Sequence, residues 1–262
     1  MTTPEHTLVA LPSDDKPGVF NIFRHYPNQI EPCGQFSWED IDTHSPSCTN
    51  SMIELCATYL KRRILDYLLK KRPLLRLIHA ASVNHNKSGQ LFLAPTKGGK
   101  TTLSLACTIA GMKFLSDDLS LVDLKRGLLL PFPRALRVRE KLYKSLPEFK
   151  SIPAGLMIDL HGEKRHYIQP ENIHKNALGE PVNLTHFIVL KDIKNKPFLR
   201  EAEMASLPEI LVESDCFAVE NPAELVWQWM PIIDKVKCLE LFPGPPMETA
   251  DFLLEYLNSE QC

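Results

Sequence analysis

Apolar residues recur at helical spacing over residues 49–71, as Met52, Ile53, Leu55, Cys56, Tyr59, Leu60, Ile64, Tyr67 and Leu68, and Pro73 supplies a stop just beyond. The pattern then changes. Residues 77–83 (Leu-Ile-His-Ala-Ala-Ser-Val) read as a strand, 84–89 as a turn and 90–94 as a second strand. A glycine-bearing loop follows, then a helix over 100–110 with Leu103, Leu105, Ala106 and Ile109 available for burial and Gly111 suited to its C-terminus. A short strand over 113–116 runs into Asp117 and Asp118, and 119–124 continues extended. Further on, 186–190 reads as a buried strand. Asn221-Pro222 opens a helix that reaches about Val236, with a kink or break expected at Pro231. A strand over 239–242 and a helix over 248–257 close the chain. Strands alternating with helices predict an α/β domain over 50–262. Residues 1–49, with scattered Pro, Gly and Ser around short apolar runs, predict a strand-and-loop extension packed on that core.

Composition narrows the class. The chain has 262 residues, enough for one large domain or a core with an extension, and 44% hydrophobic with 24% charged residues is ordinary for a globular protein. Pro4, Glu5, Pro12, Asp14 and Asp15 are incompatible with a signal peptide, and no apolar run approaches a membrane span. The expected location is the cytoplasm. Seven cysteines at irregular spacing, without a C-x-x-C, predict neither a disulfide framework nor a zinc site. A net charge of −2 argues against a nucleic-acid coat. The basic run from Lys61 to Arg76 reads as a solvated helix face with a basic last turn, or as an attractor of an acidic partner.

The chemistry concentrates in one stretch. Ala94, Pro95, Thr96, Lys97, Gly98, Gly99, Lys100 and Thr101 fit the phosphate-loop spacing G-x-x-x-x-G-K-[ST], with Ala in the first position and Thr102 following. Small residues let backbone N–H groups close around phosphate oxygens, and the helix start adds a positive dipole. Lys100 would reach the β- and γ-phosphates and the Thr101 hydroxyl would coordinate Mg²⁺. Seventeen residues after Lys100, Asp117 and Asp118 can divide labour, one holding the metal and the other accepting a proton. His79 precedes the loop by fifteen residues.

These features together resemble the catalytic domain of HPr kinase/phosphorylase and the wider HPr kinase-like set, which includes kinases of modified peptides such as lasso peptides. The similarity runs through 77–83, 91–103 and 111–118, and phosphoenolpyruvate carboxykinases share the architecture more remotely. The resemblance implies a P-loop-containing α/β catalytic domain with a mixed sheet and flanking helices. It also implies Asp117 as the base, Asp118 as a partner of Mg²⁺, His79 as a residue near the γ-phosphate, and closed homo-oligomers. The chain departs from true HPr kinase/phosphorylases in lacking a counterpart of their Glu-x-Arg-Gly-x-Gly run, for which Lys125-Arg126-Gly127 substitutes poorly, and in its shorter N-terminal segment. The acceptor is therefore expected to be another peptide or small protein, or a small alcohol such as free serine, rather than HPr. Arg134, Arg137 and Arg139, and further on Lys164, Arg165 and His166, could clamp a phosphate or carboxylate. Trp227 and Trp229 are expected to pack in their helix. The function expected is Mg²⁺-ATP-dependent phosphorylation of a hydroxyl, most naturally a serine; a nucleotide-gated binding module without transfer chemistry is the rival.

Overall fold

The computed structural model describes residues 7–12, 19–26, 29–37, 72, 74–158, 163–203, 206–216 and 221–260. The helix expected over 49–71, and most of its basic run, lies outside the described residues. The chain divides into two units, residues 1–65 and 66–262. In the first, β1 (Thr7–Pro12), β2 (Val19–Tyr26) and β3 (Gln29–Ser37) form an antiparallel sheet in that order.

The second unit is built on a nine-stranded mixed sheet. Its strands are β4 (Leu75–Ile78), β5 (Ala81–His85), β6 (Ser88–Leu93), β7 (Lys113–Ser116), β8 (Ser120–Asp123), β9 (Leu128–Leu130), β13 (Val182–Leu190), β14 (Phe198–Glu201) and β15 (Lys237–Phe242). They run in the order β4-β8-β9-β13-β6-β5-β7, with β15 also on β13 and β14 on β15. Only the pairings of β13 with β6 and with β15 are parallel. The rest are antiparallel, so the sheet is mixed, as expected, and mostly antiparallel. A separate three-stranded antiparallel sheet joins β10 (Leu136–Arg139), β12 (Lys164–Ile168) and β11 (Gly155–Ile158).

Helices cover both faces of the large sheet. On one face α1 (Lys100–Ile109) and the terminal α7 (Pro246–Ser259) pack with Phe92, Ile188 and Leu190. On the other, α5 (Leu207–Ser214) and α6 (Pro222–Ile233) pack with Leu91, Leu93, Phe187 and Val189. Neighbours along β6 and β13 thus alternate between two cores, as the two-residue strand period requires. That is why the C-terminal halves of both strands, Leu91 to Leu93 and Phe187 to Leu190, are continuously apolar. Between β10 and β12 lie two short helices, α2 (Glu140–Ser145) and α3 (Pro147–Lys150), and α4 (Pro170–Ile173) follows β12.

Three sequence expectations are corrected. The single strand predicted over 77–83 is two, because the chain bends at His79–Ala80 and changes partners, β4 pairing with β8 and β5 with β6 and β7. Pro231 does not break its helix: α6 continues through it to Ile233 and gives up only the one hydrogen bond that the missing N–H would have made. Trp229 is buried edge-on to Phe187 at 5.8 Å, but Trp227 is 75% exposed and packs no core. Among the described residues, no helix is long and apolar enough to cross a membrane.

Candidate active site

β6 delivers the chain into the loop 94–99 at its C-terminal end, and α1 begins at Lys100. Two left-handed residues shape the turn, Lys97 at φ 69° and Gly99 at φ 92°. Gly99 caps the helix in a conformation that costs a residue with Cβ on the order of 1 kcal/mol. Gly98 answers a different need. Its N–H donates to the Pro95 carbonyl at 3.0 Å, and a Cβ there would lie 2.7 Å from the Ala94 Cβ and 2.9 Å from the Pro95 oxygen. Gly98→Ala should therefore force the loop open and weaken nucleotide binding at least about tenfold while leaving the unfolding temperature nearly unchanged, because the loop is exposed. Calorimetric titration with ATP and a thermal melt would check both halves.

Lys100 is 6% exposed and its ammonium is fully engaged. Nζ donates to the Ala94 carbonyl at 2.6 Å and the Pro95 carbonyl at 3.2 Å, and lies 3.2 Å from His79 Nε2. Burial pushes Lys100 below the ordinary lysine range, against the pull of Asp118. The His79 ring continues the chain of contacts, Nδ1 lying 3.3 Å from Asp118 Oδ1. Arg137 holds the other Asp118 oxygen at 3.4 Å. An ammonium on Nε2 and a carboxylate on Nδ1 are compatible only with a neutral ring protonated at Nδ1. Burial first, and the Lys100 charge second, lower the His79 pKa in the same sense, with Asp118 opposing.

The bend at residues 79–80 is what aims this imidazole. It is tied from two sides. The His79 N–H donates to the Ser214 carbonyl at 2.7 Å and the Cys216 N–H to the Leu77 carbonyl at 3.0 Å. Arg76 grips Asp215, which follows α5, through Nε and Nη2 at 2.8 and 2.6 Å. From the sheet, the Ser120 hydroxyl donates to the Ala80 carbonyl at 3.0 Å. The acidic pair is braced in a similar way, since the Ser116 hydroxyl donates across it to the Leu119 carbonyl at 2.5 Å.

Asp117 and Asp118 occupy different environments. The Asp118 side chain is 31% exposed and lines the cleft. Asp117 is 5% exposed and sits behind that wall. Burial, and then the adjacent Asp118 charge, push its carboxyl up to about 6, while Arg134, Arg137 and a hydrogen bond from the Arg137 backbone hold it down.

The cleft has a volume of about 560 Å³. One wall is the glycine turn and helix start from Thr96 through Thr102 with His79 and Asp118. The other is β10 with α2 and Arg165 of β12. Of the expected clamp residues, Arg137, Arg139 and Arg165 line this cleft; Arg134, which acts on the Asp117 carboxyl, Lys164 and His166 do not. Ala94 and Pro95 are contacts of Lys100 rather than cleft wall. Sequence reasoning missed Lys141, Leu142 and Ser145 of α2, which complete the far wall. No motif marks them; their place depends on α2 folding back beside β12, where Tyr143 stacks on His166 at 3.9 Å.

Thr101 and Asp118 offer hard oxygen donors on the same cleft, one hydroxyl and one carboxylate. That set suits Mg²⁺, which takes one or two protein oxygens and completes its shell with water and phosphate.

No family model and no curated protein matches this sequence. Among solved structures, the chain is similar to the HPr(Ser) kinase/phosphatase from Coxiella burnetii, over 71% of this chain and 99% of that one, at 13% identity and a TM-score of 0.36. At that TM-score the likeness carries no argument about function, which rests on the side chains described above.

Proposed function

We propose that this chain is an ATP-dependent phosphotransferase that moves the γ-phosphoryl group to a hydroxyl of a peptide, a small protein or a small alcohol. One observation carries the reading: a glycine-turn loop at a helix start shares a cleft with a buried lysine, a histidine and a carboxylate linked in sequence, Lys100 to His79 to Asp118. Loop amides and Lys100 hold the phosphates. Lys100 exchanges its carbonyl partners for phosphate oxygens, which are stronger acceptors. Thr101 and Asp118 would hold Mg²⁺, whose charge neutralises the phosphate oxygens when it is bound. His79 keeps the Asp118 carboxylate and the Lys100 ammonium in register.

Asp117 takes the proton. The acceptor O–H gives its hydrogen to the Asp117 carboxylate, the acceptor oxygen bonds to the γ-phosphorus, and the bond from that phosphorus to the bridging oxygen breaks to release ADP. A base with a pKa near 6 is well matched to neutral pH. The cell compartment expected for such a reaction is the cytoplasm.

A second reading has its own support. Asp117 lies behind the cleft wall, which favours a nucleotide-binding module without transfer chemistry. Incubating the protein with Mg²⁺-ATP and a panel of serine peptides, or free L-serine, separates the two. ADP formed in step with a mass gain of one phosphoryl group supports the kinase. Tight ATP binding with neither product would leave the binding module.

A further inference from the structure

The far wall of the cleft carries more positive charge than a nucleotide needs. The lining residues include Lys97, Lys100, Arg137, Arg139, Lys141 and Arg165, and the one carboxylate among them, Asp118, is already shared between His79 and Arg137. Lys97 and Lys100 belong to the phosphate loop and are accounted for by the triphosphate. Arg139, Lys141 and Arg165 belong to the opposite wall. Arg139 and Arg165 are direct cross-strand partners in the antiparallel pairing of β10 with β12. Like charges in that position repel. Arg165 pairs with Glu163 at 2.8 Å, so the surplus rests on Arg139 and Lys141. Neither of these two makes an ion pair among the described residues.

Strand geometry sets where this surplus lies. Arg137 and Arg139 share one face of β10, two residues or about 7 Å apart. Arg137 marks the acidic pair, where an acceptor hydroxyl has to arrive. Arg139 and its cationic neighbours therefore stand roughly two extended residues from the reacting oxygen.

We infer that the acceptor is anionic: a hydroxyl with a carboxylate held about two residues away, recognised by Arg139 and Lys141. This rests on the phosphotransferase reading and names its substrate class. The chemistry could come from a serine in an acidic peptide or from a small hydroxy acid, and the experiment separates these sources.

Fluorescein-labelled peptides of one length, with a single serine flanked two residues away by Asp and Glu, by Asn and Gln, or by Lys, are titrated against the protein loaded with Mg²⁺ and a non-hydrolysable ATP analogue. The acidic peptide is expected to bind about tenfold tighter than the neutral one at low salt, the advantage shrinking as ionic strength rises. The doubly substituted Arg139→Glu, Lys141→Glu protein should reverse the order and prefer the Lys-flanked peptide, a gain that misfolding cannot produce. Glu at 141 falls in the first turn of α2, where a negative charge suits the helix start. Analogue affinity should move less than about threefold. Displacement of the acidic peptide by millimolar 6-hydroxyhexanoate, whose hydroxyl and carboxylate can span that distance, but not by an unlabelled neutral peptide, would assign the wall to a small hydroxy acid; displacement by unlabelled acidic peptide alone would assign it to peptides. Equal affinity for acidic and neutral peptides with no displacement by the hydroxy acid would overturn the proposal and leave the kinase reading standing. An equal loss of analogue binding in the double variant would also overturn it, by giving the wall to the nucleotide. Failure of the native protein to bind the analogue at all would remove both.

Discussion

Asp117→Asn should abolish phosphoryl transfer, by about 10²–10⁴-fold, while making the folded protein more stable at neutral pH. The two effects have one origin. In the folded state burial lifts the carboxyl from 3.8 to about 6, so the native chain binds this proton more tightly than the unfolded chain does. Its contribution to stability is therefore fully present below pH 3.8 and is lost as pH rises toward and through 6. Above that window the buried charge costs about 3 kcal/mol at 1.36 kcal/mol per tenfold. Asparagine matches the shape of the protonated acid and cannot ionise. Melting temperatures of the two proteins should agree near pH 4 and diverge by several degrees at pH 7, the variant being higher. The rate profile of the native enzyme should rise through about pH 6, and the variant should show no such limb. Unchanged turnover in the variant would remove the proton-acceptor role, whatever the melts show.

Lys100→Met should raise the dissociation constant for ATP by about 100-fold, equivalent to about 2.7 kcal/mol. Methionine keeps the length and apolar stem of the side chain but removes the charge the phosphates would meet. The fold should tolerate it. The Ala94 and Pro95 carbonyls lose a charged donor, but a buried ammonium held below its ordinary pKa is no longer desolvated, and the two terms oppose each other. A stability change within about 1 kcal/mol is expected. The variant also reports on the contact chain, because the Lys100 charge is one of the two causes that depress the His79 pKa. Imidazole titration followed by NMR should show the His79 pKa rising when Lys100 is replaced. If ATP binding survives intact, Lys100 does not grip the phosphates and its role in the site falls. If the His79 titration does not move, the Lys100–His79 contact is not maintained in solution.

His79 shows how far local sequence reaches. Its strand neighbours are legible as an apolar run, which predicts a single element. The break at residues 79–80 is invisible in that pattern, because β4 and β5 are each apolar and differ only in which strands they pair with. Yet the break is what turns the ring toward Lys100 and Asp118. Its restraints come from Ser214, Asp215 and Cys216, more than 130 residues away along the chain.

Asp117 and Asp118 make the same point electrostatically. Adjacent carboxylates after a short strand announce a site, and their spacing from the loop suggests shared work. Which of them meets solvent is decided by the turn that Ser116 closes onto Leu119 and by the packing of the segment carrying Arg134 and Arg137.

The glycine turn, α1, β7 and the acidic pair are legible in the order of residues, because each depends on contacts within a turn or two: small residues for a tight loop, a helical stripe behind it, a glycine at φ 105° to end it. The far wall was not. Lys141, Leu142 and Ser145 carry no local mark, and Arg139 meets Arg165 only because two strands separated by a pair of short helices come into antiparallel register. Contacts between distant segments are fixed by how the cores of the two faces close, and neither periodicity nor spacing along the chain encodes that distance.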